Sequence, residues 1–288
     1  MIQDLITNNI NLDDGKKFAA IIGLNPSNGA RSPLLWNAAY SYYNVDTRML
    51  PLDVKANNLT KLLYELERNV DFIGGALTIP YKEDVVNLLG GNITDEAKKI
   101  GAVNCLFRGK DGSLCGTNTD GEASILSYES EFGSIKGKSV LILGTGGVAK
   151  AVSVFFSSGK NLTIVGRLEH GKSFSKSIHS DWIVWVNIDK VLGSVDIVVN
   201  CTSLGFLGSE NLSPLTEAQL KKIPKHVNIF DVIYQPLETK LILLSKKCGF
   251  NHMNGLQMNL EQAVLAFIHA NAECSNIQEV RSSMLSID

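Results

Sequence analysis

Apolar residues in this chain fall into short continuous runs that alternate with stretches spaced three or four apart, and the two patterns trade places repeatedly. Residues 18–24 (Phe-Ala-Ala-Ile-Ile-Gly-Leu) form an apolar run closed by Asn25-Pro26, the pattern of a buried strand. Ser32-Pro33 then opens Leu-Leu-Trp-Asn-Ala-Ala-Tyr, with serine at the N-cap and proline at the first helical position. Residues 45–54 predict a second strand and 57–68 an amphipathic helix. Residues 72–79 predict a third strand that stops at Pro80, with a helix from Tyr81. Two further runs, 102–108 and 113–116, flank Gly109-Lys110-Asp111-Gly112 and predict a hairpin.

The pattern resets over residues 121–137. A polar helix carrying Glu122, Glu129 and Glu131 runs into Gly133-Ser134-Ile135-Lys136-Gly137-Lys138, which marks a domain boundary. A strand at 139–143, a glycine-rich turn, a helix to about 158 and a strand at 161–165 follow. More buried strands are predicted at 182–186, 196–200 and 227–231. From Met258 the tail places Leu260, Val264, Phe267 and Ile268 on one helical face. Strands alternating with helices imply mostly parallel sheets, so the fold class is α/β with two α/β domains. The chain shows no internal repeat.

Composition narrows the function classes. Lys plus Arg number 27 against 29 Asp plus Glu, a net charge of −2 that gives no general electrostatic reason to bind nucleic acid or an anionic membrane. No stretch reaches the roughly 18 apolar residues of a spanning helix, and the start lacks the basic and apolar regions of a signal peptide. Cys105, Cys115, Cys201, Cys248 and Cys274 are scattered and odd in number, and the five histidines never pair at metal-ligand spacing. The expectation is a soluble, cytoplasmic protein acting on a small molecule, with no metal, no nucleic acid and no membrane partner, as a monomer or homodimer.

Gly144-Thr145-Gly146-Gly147-Val148-Ala149 fits G-x-G-x-x-A between a strand and a helix. The first glycine makes the tight turn and the second lets a pyrophosphate approach the backbone. The small last residue lets helix and strand pack closely. A glycine-rich turn without a ligand is the plain alternative. About twenty residues on, where an acidic residue would hold a ribose 2′-hydroxyl, the chain has Val165-Gly166-Arg167. A guanidinium there suits a 2′-phosphate, so NADP is the expected cofactor. Lys172 offers a second positive charge; Glu169 either turns toward the ribose or pairs with a neighbouring cation. A solvated surface arginine is the alternative for Arg167.

Four other segments stand out: Thr78-Ile79-Pro80-Tyr81-Lys82, Gly101-Ala102-Val103-Asn104, Asn118-Thr119-Asp120-Gly121, and Gln262 within an apolar helix. Singly, each has a plain explanation as a solvated lysine, a turn or cap residue, or a surface glutamine. The residues by themselves therefore define an NADP-dependent enzyme of unspecified substrate.

Read together and in order, these segments resemble the shikimate dehydrogenase family. The resemblance covers residues 21–267: N-P-x4-R-S-P at 25–33, T-x-P-x-K at 78–82, G-A-V-N at 101–104, N-T-D-G at 118–121, G-T-G-G-V-A-K at 144–150, N-x-T-S-L-G at 200–205, D-V-I-Y-Q-P-L-E-T at 231–239 and N-G-L-Q-M-x3-Q at 254–262. It implies an N-terminal substrate domain (1–121) rejoined by a C-terminal helix (257–288), and a Rossmann-like NADP-binding domain (122–256). It implies Lys82 and Asp120 as the catalytic pair, moving the proton that accompanies hydride transfer between 3-dehydroshikimate and shikimate. Asn104, Thr78 and Gln262 are implied to hold substrate hydroxyls, with Ser32 on the carboxylate and Tyr234 near it. Gly144, Gly146, Gly147, Val148, Ala149, Arg167 and Thr202 are implied to bind NADP.

The chain departs from the family pattern where two hydroxyl residues usually precede the proline: it reads Ala30-Arg31-Ser32, one donor short. Ser27, Asn28 or an ordered water are candidate substitutes. Ala76, Gln257, and Gly166 and Leu168 beside Arg167 also differ from the common residues. A related acid such as quinate or aminoshikimate thus stays open as substrate. A non-catalytic metabolite sensor of this fold is the third alternative, against which Lys82 and Asp120 stand, since a sensor needs no proton-transfer pair.

Overall fold

All six residues of β1 (Phe18–Gly23) are buried, as the continuous apolar run requires of a strand covered on both faces. In the computed structural model, residues 1–12, 15–167, 169 and 171–286 are described. They form two compact units, one of residues 1–119 together with the stretch from Leu260 onward, the other Asp120–Asn259.

The first unit holds α1 (Ser32–Tyr42), β2 (Arg48–Asp53), α2 (Ala56–Arg68), β3 (Phe72–Leu77), α3 (Asp84–Leu89), α4 (Asp95–Ile100), β4 (Cys105–Arg108) and β5 (Leu114–Thr117). Its sheet runs β2-β1-β3-β4-β5. β1 pairs in parallel with β2 and β3, whereas β3-β4 and β4-β5 are antiparallel. Side chains alternate along β1 with the period of two expected of a strand. Phe18, Ala20 and Ile22 join Leu59, Leu62, Leu63 and Leu66 of α2 on one face. Ala19 and Ile21 join Leu35, Trp36, Ala39 and Tyr40 of α1 on the other.

In the second unit α5 (Asp120–Phe132) leads into β6 (Ser139–Leu143), α6 (Gly147–Phe156), β7 (Asn161–Gly166), α7 (Lys172–Ser177), β8 (Asp181–Val184), β9 (Ile197–Asn200), α8 (Glu217–Leu220), β10 (Asn228–Asp231), α9 (Lys240–Cys248) and β11 (Asn251–Met253). All strands are parallel, in the order β8-β7-β6-β9-β10-β11. This is the 3-2-1-4-5-6 order of the doubly wound dinucleotide-binding fold, with its switch point between β6 and β9. α10 (Leu256–Ala270) and α11 (Ile277–Leu285) complete the chain. Leu260, Ala263, Val264 and Phe267 of α10, with Val280 and Met284 of α11, cover the α1 side of the first sheet. Glu261 and Arg281 form a bidentate ion pair between these two helices, 2.7 Å on each arm.

Several elements differ from the sequence expectation, among them β4, which begins at Cys105 and not at 102, and α1, whose N-cap is Arg31 and not Ser32. The strand expected from 45 begins at Arg48, because residues up to Thr47 form a turn with Asn44 at φ 53°. The strand expected over 182–186 ends at Val184, where a 3-10 turn, Trp185–Lys190, takes over. The helix expected from Tyr81 begins at Asp84 instead. Residues 80–83 are held as a turn by the Tyr81 hydroxyl, which donates to Val54 O at 2.7 Å, and by Val103 N–H, which donates to Lys82 O at 2.7 Å.

Candidate active site

In the first unit the conspicuous polar residues gather at the ends of β3 and β5 around Asn104, which is 1% exposed. Its Oδ1 accepts from Thr119 N–H at 2.8 Å, and its Nδ2 donates to Thr119 Oγ1 at 3.0 Å. The Thr119 hydroxyl in turn donates to Gln262 O at 3.0 Å, bringing α10 to the same point. Main-chain bonds fix the rest: Asn104 N–H to Thr117 O, Leu77 N–H to Asn104 O, and Thr78 N–H to Ile22 O. With Val103 bonded to Lys82 O, the backbones of Thr78, Lys82, Asn104 and Gln262 are set by one connected network. Buried amides satisfied this fully behave as rigid positioning groups. Asp120 follows Thr119 directly, buried in the first turn of α5, where a helix N-terminus favours a carboxylate.

Ser32 is buried at the start of α1, after the loop that leaves β1. That loop is pinned by Asp53 at the end of β2. The Asp53 carboxylate accepts both from Ser27 N–H at 2.8 Å and from the Ser27 hydroxyl. Asp53 N–H donates to Asn8 Oδ1 at 2.8 Å. In this structure the Ser27 hydroxyl proton is directed at a buried carboxylate.

In the second unit the glycine turn lies at the switch point. Gly144 has φ +117°, and a Cβ there would come within 2.9 Å of Cys201 O, so both backbone conformation and space call for glycine. Gly146 is the N-cap of α6, Gly147 and Val148 form its first turn, and Ala149 is buried against the sheet. The first N–H groups of a helix have no intrahelical partner and can receive an anion. At the tip of β7, Arg167 is exposed and Gly166 buried. A Cβ at Gly166 would run into the Trp182 ring and lie 2.8 Å from Thr145 Cγ2. The indole of Trp182 in β8 thus fills the space beside Gly166. Glu169 pairs with Lys172 at 2.8 Å, so this lysine's charge is neutralised locally. Leu168 lies outside the described residues.

Thr202 follows β9. Its N–H and hydroxyl both donate to Asn200 Oδ1, at 2.9 and 2.7 Å. Tyr234 sits half-buried in the loop between β10 and α9. Sequence reasoning missed three residues that organise these loops: Thr119, Asn200 and Asp231. All three lie inside motifs read above, and their signal was a polar residue at a strand end. Among the described residues, no group of three or more His, Cys, Asp or Glu is arranged to hold a metal, and no helix is long and apolar enough to cross a membrane.

A parallel sheet in this order, with a G-x-G-x-x-A turn after its central strand and an arginine at the tip of the next, defines a dinucleotide-binding oxidoreductase fold. The shikimate dehydrogenase substrate binding domain matches residues 21–106. The shikimate dehydrogenase (NADP(+)) of Methanocaldococcus jannaschii is 30% identical over 275 residues, covering 92% of this chain and 96% of its own. That of Carboxydothermus hydrogenoformans is 34% identical over 258 residues, 87% and 90% of the two chains. A crystal structure of a shikimate dehydrogenase in complex with NADP+ superposes with a TM-score of 0.84 at 26% identity, over 96% of this chain and 97% of the other. The chain belongs to the shikimate dehydrogenase family.

Proposed function

We propose that this protein catalyses the reversible NADPH-dependent reduction of 3-dehydroshikimate to shikimate. The observation that carries the reading is the Asn104 network, which fixes the backbones of Lys82 and Gln262 and ends on the residue before Asp120. NADPH supplies the hydride. The protein must deliver a proton to the carbonyl oxygen as the carbon is reduced, and remove it in reverse. The Lys82 ammonium is the proton donor in this reading, and the Asp120 carboxylate orients it and exchanges the proton. Thr78, Asn104 and Gln262 hold ring hydroxyls, while Ser32 and Tyr234 take the carboxylate end. The turn from Gly144 to Ala149 holds the pyrophosphate, Arg167 the 2′-phosphate, and Thr202 the nicotinamide side. A cytoplasmic location suits five unpaired cysteines, and a monomer or homodimer suffices for this chemistry.

The test is initial-rate kinetics with NADPH and NADH against 3-dehydroshikimate, and with NADP+ and NAD+ against shikimate and quinate. Turnover of 3-dehydroshikimate with NADPH supports the proposal. Turnover confined to quinate-like acids would replace it with the second reading, a paralogue with an altered acid pocket. That reading is favoured by one observation: Ala30 lacks a hydroxyl and Ser27 is held by Asp53.

Two further outcomes follow. Arg167→Ala removes a planar, charge-assisted contact to the 2′-phosphate, so NADP+ affinity should fall about a hundredfold and NAD+ affinity less than about threefold. Equal losses, read by fluorescence titration, would remove Arg167 from that role. Ala30→Ser restores a hydrogen bond to a carboxylate, worth about 1.5–3 kcal/mol, so the shikimate KM should drop about tenfold or more with kcat unchanged. An unchanged KM would mean that another donor already serves the carboxylate.

A further inference from the structure

Asp231, at the end of β10, is fully buried and has no part in the proton transfer described above. Three donors converge on its carboxylate: Thr239 Oγ1 at 2.6 Å, Asn200 Nδ2 at 3.0 Å and Ile233 N–H at 3.1 Å. Two of them can act only as donors. Ile233 N–H can only donate. The Asn200 amide cannot be turned round, because its Oδ1 already receives Thr202 N–H. The Thr239 oxygen receives Ile242 N–H at 3.3 Å, and its hydroxyl proton is directed at Asp231. The site therefore suits an ionised carboxylate, which accepts from all three. Burial pushes the group up to about 6 while the three donors pull the other way, so it is charged at neutral pH.

Two loops hang from this one side chain. Through Asn200 it holds Thr202, whose Oγ1 also accepts from Leu204 N–H at 3.2 Å. Through Ile233 and Thr239 it holds both ends of the loop that carries Tyr234. The loops also pack on each other. Gly205, at φ +106°, has Thr239 Cβ only 3.1 Å from where its own Cβ would stand, with Ile233 Cδ1 at 3.6 Å. Because Cys201 N–H donates to Leu143 O at 2.8 Å, the first loop starts beside the glycine turn.

We propose that Asp231 is a positioning residue for hydride transfer, clamping the Thr202 and Tyr234 loops into one ledge that sets the nicotinamide half of the dinucleotide and leaves its adenosine half untouched. The proposal rests on the dehydrogenase reading above. Asp231→Asn keeps the shape but replaces the acceptor that faces the Thr239 hydroxyl with an amide N–H and removes the charge. Misplacement of a reacting group by a fraction of an ångström is costly, so kcat should fall about thirtyfold. Affinity for 2′,5′-ADP, which has no nicotinamide, should stay within about twofold of wild type, while affinity for NADP+ should fall. The deuterium isotope effect on kcat, with NADPH deuterated at the transferred position, should rise. Thr239→Val should move the same readouts in the same direction, and Thr239→Ser, which keeps the hydroxyl, should restore them. This pair decides the matter if Asp231→Asn does not fold. A kcat within about threefold of wild type for Asp231→Asn, a loss of 2′,5′-ADP binding in step with kcat, or equal damage from Thr239→Ser and Thr239→Val would overturn the proposal. Wild-type protein that fails to reduce 3-dehydroshikimate would instead defeat the dehydrogenase reading, since the comparison of NADP+ with 2′,5′-ADP needs no substrate.

Discussion

Lys82→Ala is expected to lower turnover of 3-dehydroshikimate at least about a hundredfold while leaving NADPH affinity nearly unchanged. The substitution removes the proposed proton donor but leaves Lys82 O, and hence the bond from Val103 N–H, in place. The turn of residues 80–83 keeps its other anchor, the buried Tyr81 hydroxyl on Val54 O. The loss should therefore fall on kcat rather than on folding. Asp120→Asn should give a similar loss, because an amide neither carries the charge that orients an ammonium nor exchanges its proton. The two substitutions together should cost little more than either alone, as expected of groups acting as a unit. Stopped-flow measurement of NADPH oxidation decides it. Rates near normal in both single variants would show that the proton travels by another path.

The second large effect concerns stability. Arg108→Ala is expected to lower the unfolding free energy by about 3 kcal/mol, seen as a shift of the urea midpoint. The Arg108 guanidinium donates to five backbone carbonyls: Phe72 O at 2.9 Å, Glu67 O at 2.8 Å, Gly112 O at 3.0 Å, Leu66 O at 2.8 Å and Asn69 O at 2.8 Å. Leu66 and Glu67 belong to the last turn of α2, where intrahelical donors run out; Leu66 O also accepts from Asn69 N–H at 3.3 Å. One side chain from β4 thus closes the end of α2, the start of β3 and the hairpin turn. Arg108→Lys should recover only a fraction, since a single ammonium offers three donors from one point and not a planar fork. A midpoint unchanged in Arg108→Ala would mean that water satisfies those carbonyls equally well.

Legibility in the sequence followed length and burial. β1, β3, β6 and β7 were readable as apolar runs because each is covered on both faces and bounded by glycine, proline or asparagine. β11, three residues long and partly exposed, has no pattern to read. The short α4 did carry a signal. Thr94 caps it through Ala97 N–H, acids follow in the first turn, Lys98 and Lys99 close it, and Gly101 ends it in the left-handed conformation. With only six residues, its apolar spacing was too brief to stand out. The glycine turn was legible because its chemistry is local. The Asn104 network was not, because its partners Thr119 and Gln262 are brought together only by sheet pairing and by the final helices. The commitment of Ser27 to Asp53, residues 26 positions apart, belongs to the same class of facts. The reason for Gly166 is also non-local, since it depends on the indole of Trp182 in the next strand.

The last helices have a consequence for how the protein is made. One side of the first sheet, with Ala19, Ile21, Trp36 and Tyr40, is covered by Leu260, Val264, Phe267, Val280 and Met284. On the ribosome, those covering residues emerge about 140 positions after the sheet itself is complete, a delay on the order of ten seconds at ordinary translation speeds. Throughout that interval the nascent chain presents an oily, aromatic surface with nothing yet synthesised to hide it. A stop codon before residue 260 would leave that surface bare for good, producing a polypeptide prone to clumping and chaperone capture.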